Sequence, residues 1–264
     1  IQAEYSAPEG TTNMPLNELG LGDWESFTQN LSRQKLRNMY LVENPISSDG
    51  VSRVSRPTLR TVTNVGTGPI YNVWSQPNVL GGDSLVVSGA ELYRLNLVTL
   101  AATLLGSLPG TDVAEFAADA DRVLVLRDGN LFLVDSGGII TAVPTPDLNA
   151  VSSVTSLNNY FVLSIRDTQQ FYWIQPGAVI IDDLDFASAE RIPDPIVSVQ
   201  SISDELWLLG RSGPEVWQPS GDADAPFIRV AGRVYKDGCH NTQCVVSTSL
   251  DGQPALLWVT DSKA

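Results

Sequence analysis

The chain has 264 residues, of which 43% are hydrophobic and 17% are charged, and this balance excludes an intrinsically disordered protein. The formal net charge of −14 excludes a protein that grips phosphate groups, because that task needs clustered lysines and arginines. Two cysteines are too few for a disulfide scaffold, and no run of about 18 apolar residues predicts a membrane span.

The first 45 residues differ from the rest of the chain. Residues 1–22 mix Pro, Gly, Asn and Thr with scattered apolar residues, which predicts an extended arm, and no signal-peptide pattern precedes them. The next stretch has a loosely helical apolar spacing that fits either a short helix or an irregular segment, at Trp24, Phe27, Leu31, Leu36 and Met39. We predict an N-terminal arm over residues 1–45 and one further domain over residues 46–264.

Short runs of β-branched and aromatic residues begin further along the chain. Four runs of five or six such residues predict strands, at 84–88, 122–126, 160–165 and 205–209. Each run is followed by residues typical of a tight turn, such as Asp128-Gly129. An Asp-Gly pair indicates a hairpin turn, because glycine adopts a positive φ at little cost. A second predicted strand comes after each turn, at 91–97, 130–134, 170–174 and 215–218.

These strand pairs repeat along the chain. The central apolar runs begin at intervals of 38, 38, 45 and 51 residues, at Leu85, Val123, Phe161, Leu206 and Leu257. Opening strands are predicted at 113–120, 151–157, 196–202 and 244–250, and closing strands at 101–108, 139–143 and 227–230. Four strands in a unit of about 40 residues are typical of propeller blades. The predicted fold is therefore an all-β β-propeller of four-stranded blades; a β-sandwich is the alternative.

The two ends of the repeat are incomplete. Residues 59–65 look like a lone strand, which in a closed propeller would complete the last blade. The last unit stops after the strand predicted at 255–260, so half a blade is left open. We expect either that more sequence follows or that a partner closes the ring.

No catalytic or metal-binding pattern stands out. The only histidine, His240, lies between Cys239 and Cys244, and a zinc site there would lack a clear fourth ligand. The acidic stretch of Asp182, Asp183 and Asp185 is compatible with a glycosidase carboxylate pair, but such clusters are expected by chance in so acidic a chain. No phosphate-binding or dinucleotide-binding loop is present, so we expect no cofactor and no bound metal.

One ordered set of motifs is more specific than composition. It contains FASAE at 186–190, PDPIV at 193–197, ELWLLG at 205–210, EVW at 215–217, Gly221 and PFIR at 226–229. Gly238-Cys239, Asp251-Gly252 and the arm motif at 38–40, followed by Glu43 and Pro45, fit the same order. In this order the motifs resemble the packaged-DNA stabilisation, or tail-hub, family of short-tailed bacteriophages, over residues 36–264.

The resemblance implies a structural virion protein of the phage tail that catalyses nothing and is made in the host cytoplasm. It implies a ring of copies, six in the familiar cases, below the portal or its adaptor ring. Such a ring extends the channel for double-stranded DNA, which it does not bind sequence-specifically, and retains the packaged genome. It also carries the tail needle, a tailspike or other distal tail proteins. The alternatives are a tail nozzle protein and a propeller glycoside hydrolase acting on host polysaccharide.

The arm is the predicted contact with neighbouring subunits, because an extended segment wraps a large surface when it folds on a partner. The alternative is that the arm packs on its own propeller. The predicted interface residues are Trp24, Phe27, Leu31, Met39 and Tyr40.

Overall fold

The computed structural model describes residues 39–46, 50–55, 61–145, 150–233 and 235–260. They divide into two compact units, one ending at Thr61 and one beginning at Val62. The described residues contain no α-helix, and no helix in them is long and apolar enough to cross a membrane.

The first unit contains an antiparallel hairpin of β1 (Met39–Glu43) and β2 (Val51–Ser55). The backbone N–H of Asn44 donates to the carbonyl of Gly50 at 2.8 Å and closes the hairpin loop. Residues 1–38, with most of the predicted arm, lie outside the described residues, so the arm and its boundary after residue 45 stay predictions.

The second unit is built from four antiparallel sheets of four strands each, in which every strand pairs with its neighbour in the chain. Sheet 1 contains β3 (Ile70–Trp74), β4 (Ser84–Ser88), β5 (Glu91–Leu95) and β6 (Ala102–Ser107). Sheet 2 contains β7 (Glu115–Ala118), β8 (Val123–Arg127), β9 (Asn130–Val134) and β10 (Ile140–Val143). Sheet 3 contains β11 (Val151–Leu157), β12 (Tyr160–Ile165), β13 (Gln170–Ile174) and β14 (Phe186–Ser188).

Sheet 4 contains β15 (Ile196–Ile202), β16 (Glu205–Gly210), β17 (Pro214–Pro219) and β18 (Phe227–Arg229). It is followed by the two-stranded hairpin of β19 (Val245–Leu250) and β20 (Gln253–Trp258). The opening strands β7, β11 and β15 contact one another in order, so they lie innermost and the sheets radiate from them as blades. The fold is the predicted all-β propeller of four-stranded blades.

The core consists of three apolar clusters, each between consecutive blades. Central strands are buried on both faces, as β4, β8 and β12 show, which explains their continuous apolar sequences. Leu124 and Phe161 pack between blades 2 and 3, and Phe171 and Leu208 pack between blades 3 and 4. Each blade is therefore held by its neighbours and has no separate core.

The lone strand predicted at 59–65 is not formed in its described part. Residues 61–65 form no strand, and the last hairpin, β19–β20, pairs with no third strand among the described residues. This segment instead leads over blade 1, where Thr63 Oγ1 donates to the carbonyl of Leu100 and Gly66 lies against Ser88 and Tyr93. The opening strand of blade 1 is β3, which the sequence patterns did not reveal.

Candidate functional site

Three of the five predicted interface residues lie outside the described part of the chain. Trp24, Phe27 and Leu31 belong to residues 1–38. Met39 and Tyr40 open β1, where they stand opposite Ser55 and Val54 of β2. Their role in binding a neighbour stays a prediction.

One end of the propeller carries most of its acidic loops, and we call it the loop face. In an antiparallel meander the loops after the first and third strands lie at the same end of each blade. Two contacts between blades confirm this: Arg122 Nη1 donates to the carbonyl of Ala178, and Gln175 Nε2 donates to that of Ala223. Eleven aspartates lie in or beside these loops, at positions 83, 119, 121, 135, 182, 183, 185, 204, 222, 224 and 251.

Cations on the loop face are already engaged in ion pairs. Arg94 binds Asp83 at 2.7 Å, Arg122 binds Asp119 at 2.6 Å, and Arg233 binds Glu205 at 2.6 Å. These are the three ion pairs of the described residues, so most of the aspartates have no cationic partner there. The exposed Arg166 and Arg211 lie in turns at the opposite end of the blades. The loop face is therefore strongly negative and repels other anions.

Asp182, Asp183 and Asp185 lie in the long loop between β13 and β14 of blade 3. Asp182 and Asp183 are exposed, whereas Asp185 is half-buried and accepts a hydrogen bond from Gln175 Nε2 at 3.2 Å. Burial raises the pKa of Asp185, and the negative charges of Asp182 and Asp224 raise it further. This loop therefore lies close to the Asp222–Asp224 turn of blade 4, about 40 residues away in the sequence.

An apolar groove lies beside these two acidic loops. It has a volume of about 180 Å³ between the β11–β12 turn of blade 3 and the β17–β18 loop of blade 4. Tyr160 and Phe227 meet edge to face there, with ring centroids 5.7 Å apart. Its remaining lining residues are Asn158, Pro219, Gly221, Asp222, Ala223 and Pro226. No feature of the sequence links Asn158 to Asp222, so the groove was missed by sequence analysis.

The innermost strands are joined by polar side chains. Ser153 and Ser198 hydroxyls lie 3.3 Å apart, and Thr155 Oγ1 donates to Ser201 Oγ at 3.0 Å. Glu115 on β7 accepts from the backbone N–H of Val154 at 3.3 Å and from the hydroxyls of Ser153 and Thr242. Its carboxylate thus connects blades 2 and 3 to the segment before β19. Burial raises the pKa of Glu115, and these hydrogen bonds only partly oppose that rise.

We expect Glu115→Gln to stabilise the protein at neutral and alkaline pH. The folded chain holds the Glu115 proton more tightly than the unfolded chain, whose reference pKa is 4.5. The stability contribution of Glu115 therefore falls as the pH rises from about 4.5 through the raised pKa, and glutamine removes this fall while still accepting the Val154 N–H. Urea unfolding from about pH 4 to about pH 8 measures the free energy of unfolding of the variant and of wild type. If the stability advantage of the variant does not increase with pH, the prediction is wrong.

The cysteine–histidine segment lies between blade 4 and the last hairpin. Cys239 is buried, its backbone N–H donates to the carbonyl of Gly210, and its Sγ lies 3.2 Å from the carbonyl oxygen of Asn241. The N–H of His240 donates to the carbonyl of Val259. Across the described ranges, no three His, Cys, Asp or Glu side chains are grouped so that they could hold a metal ion. The segment serves to dock the last hairpin.

Comparison with known proteins gives one family. Residues 19–256 match the phage stabilisation family model described as Bacteriophage P22 Gp10, beta-propeller. No curated protein matches the sequence.

Several solved structures are similar in shape at low identity. YCF48 bound to D1 peptide is 11% identical with a TM-score of 0.49, over 81% of this chain and 70% of that one. PorZ of Porphyromonas gingivalis is 16% identical with a TM-score of 0.45, over 74% of this chain and 29% of that one. Kluyveromyces lactis Hsv2 is 12% identical with a TM-score of 0.46, over 76% of this chain and 58% of that one. This chain thus spans less than a third of PorZ and more than two thirds of YCF48.

Proposed function

Because the chain belongs to the phage stabilisation family of β-propellers typified by P22 Gp10, we propose that it is a tail-hub component that closes the virion head below the portal or adaptor ring. The observation that carries the proposal is the family match, which extends over residues 19–256 and includes all four blades. In this role the chain is structural and catalyses no reaction.

The charge of the propeller supports a place beside the DNA channel. Double-stranded DNA is densely anionic, and proteins that bind it release counterions by placing lysines and arginines against the phosphates. The loop face has the opposite character, since its three arginines are taken up by aspartate and glutamate partners. A ring that presents this face to the channel lets DNA pass without holding it.

The arm supplies the proposed contact with neighbouring subunits. Trp24, Phe27, Leu31, Met39 and Tyr40 provide large apolar side chains within a short stretch of chain, as assembly interfaces require. The proposed partners are other copies of the chain in a ring of six, the portal or adaptor ring, and distal tail proteins such as a needle or tailspike. A tail nozzle protein remains the second candidate, since the family match does not distinguish which ring is contacted.

The test is light scattering on the full chain, alone and mixed with its portal–adaptor complex. We expect a stoichiometric complex for wild type, and no complex after deletion of residues 1–45. Because that deletion also removes β1, a second variant keeps the hairpin and changes Trp24, Phe27 and Leu31 to alanine. It is expected to weaken the complex at least about a hundredfold, the size of effect seen when hot-spot residues of an interface are truncated.

The matched control removes exposed apolar side chains from the propeller instead. Val98, Val113 and Ile139 are 91%, 43% and 66% exposed, and their triple alanine variant is expected to assemble as wild type does. A wild-type chain that stays monomeric and ignores the portal–adaptor complex would overturn the proposed function. Binding to a distal tail ring without binding to the portal or adaptor would select the nozzle.

A further inference from the structure

The groove between blades 3 and 4 has the size of a peptide side-chain site. Its volume of about 180 Å³ is below the roughly 300–1,000 Å³ typical of cofactor and small-molecule pockets. Its floor is apolar, since Phe227 and Pro226 are buried and Tyr160 and Pro219 are half-buried. Grooves lined by aromatic side chains accept extended, proline-containing segments.

The groove is held in shape by its own hydrogen bonds. In the β17–β18 loop, the N–H of Ser220 donates to the carbonyl of Pro226 at 2.9 Å, and the N–H of Asp222 donates to Ser220 Oγ at 3.0 Å. Gln175 Nε2, from blade 3, donates to the carbonyl of Ala223 at 3.4 Å and so ties the two blades together. A segment that binds here meets a preorganised surface, which lowers the entropic cost of association.

The rim of the groove is acidic. Asp222 and Asp224 are exposed, and the Asp182 and Asp183 carboxylates lie in the neighbouring loop. None of these four forms an ion pair among the described residues. The occupant that fits is therefore an extended segment with proline or aliphatic side chains flanked by arginines.

The chain itself contains such a segment. Residues 53–60 read RVSRPTLR, with three arginines around Pro57 and Leu59, and the first three of these residues are the extended end of β2. No acidic residue occurs between Asp49 and Asp83, although the whole chain has a net charge of −14. The residue before a proline is restricted to extended backbone, which is the conformation that such a groove accepts.

We propose that residues 53–60 of one copy bind the groove between blades 3 and 4 of a second copy. This rests on the proposed ring, in which each copy always has a neighbour. The segment and the groove are different surfaces, so the contact is head-to-tail, the type of contact that forms a ring when the rotation between successive copies closes. Opposite charges on the two surfaces favour the segment-to-groove contact, whereas two acidic grooves repel each other.

Charge reversal of the full chain tests the proposal. One variant reverses the groove, Asp222→Lys with Asp224→Lys, and the other reverses the segment, Arg53→Glu, Arg56→Glu and Arg60→Glu. Each alone is expected to self-associate at least about tenfold more weakly than wild type in sedimentation velocity at low salt. An equimolar mixture of the two is expected to regain association, because each surface then meets an opposite charge on another chain.

The control reverses two other loop-face aspartates, Asp121→Lys with Asp135→Lys on blade 2, and is expected to associate as wild type does. If this control weakens self-association as much as the groove variant does, the proposal is wrong, because any loss of negative charge on the loop face would then have the same effect. Failure of the mixture to recover would also overturn it, as expected if the segment binds its own chain or a different protein. If wild type assembles with the portal–adaptor complex and the reversals change nothing, only this inference fails. If wild type assembles with nothing, the proposed function fails as well.

Discussion

Arg127→Ala is expected to lower the free energy of unfolding by about 3–5 kcal/mol, because three buried carbonyls lose a donor and a cavity is left where the side chain packed. Arg127 is completely buried at the end of β8. Its guanidinium donates to the carbonyls of Gly89, Leu108 and Asp112 at 2.8, 2.7 and 3.2 Å. Alanine would leave these acceptors without this donor and open a cavity between blades 1 and 2.

Arg127 also stacks on Tyr71 of the innermost strand of blade 1, with Cζ 4.7 Å from the ring centroid. Its aliphatic part fills the space against Gly110, where a Cβ would lie 2.8 Å from Arg127 Cγ. Next to it, Asp128 accepts the N–H groups of Thr111 and Asp112, and these bonds lower its pKa. Arg127 therefore binds carbonyl groups, and Asp128 binds N–H groups, of the segment that connects blade 1 to blade 2.

Chemical unfolding in urea measures the Arg127 effect, with Arg127→Lys and Arg166→Ala as companions. Lysine keeps the charge but cannot bind three carbonyls and stack on a ring at once, so the stability of Arg127→Lys should lie between those of wild type and Arg127→Ala. Arg166 lies in the corresponding turn of blade 3 but is exposed, and its alanine variant should change stability by less than about 0.5 kcal/mol. Similar losses at Arg127 and Arg166 would show that burial does not distinguish the two arginines.

Gly238→Ala is expected to lower the free energy of unfolding by about 3 kcal/mol and to release the last hairpin, since overpacking against backbone cannot relax through a side chain. A Cβ at Gly238 would overlap the carbonyl group of Arg211 and lie 2.6 Å from the Ser212 nitrogen. The adjacent N–H of Cys239 donates to the carbonyl of Gly210 at 2.8 Å. Trp258 Nε1 donates to the carbonyl of Asp237 at 3.3 Å, so a shift of this segment also disturbs β20.

Hydrogen exchange together with urea unfolding measures the Gly238 effect, and faster exchange is expected first in β19 and β20. Gly106→Ala is the matched control, because its Cβ would meet only the flexible end of Ile140 at 3.3 Å. The free energy of unfolding of Gly106→Ala should fall by less than about 1 kcal/mol. Unchanged exchange in β19 and β20 of Gly238→Ala would show that the segment around Gly238 does not hold the last hairpin in place.

The blade pattern could be predicted from the sequence because central strands are buried on both faces. A strand of this kind needs an unbroken apolar run, and β12 and β13 accordingly begin and end at the residues predicted for them. The turn at Asp128-Gly129 has both residues at positive φ, 48° and 80°, as its sequence indicates. By contrast, β3 is interrupted by Asn72 and β14 has only three residues, so neither gave a recognisable pattern.

The fold class, the family and the acidity can be read from the sequence alone, because they depend on local periodicity, motif order and composition. Which residues contact one another could be seen only in the folded chain. The tertiary structure placed Arg127 in the core, where its hydrogen bonds offset the burial of a charge that usually marks a surface. It also brought the β11–β12 turn of blade 3 and the β17–β18 loop of blade 4 together at one groove. Such contacts arise from the packing of one blade on the next, which has no signal in local sequence.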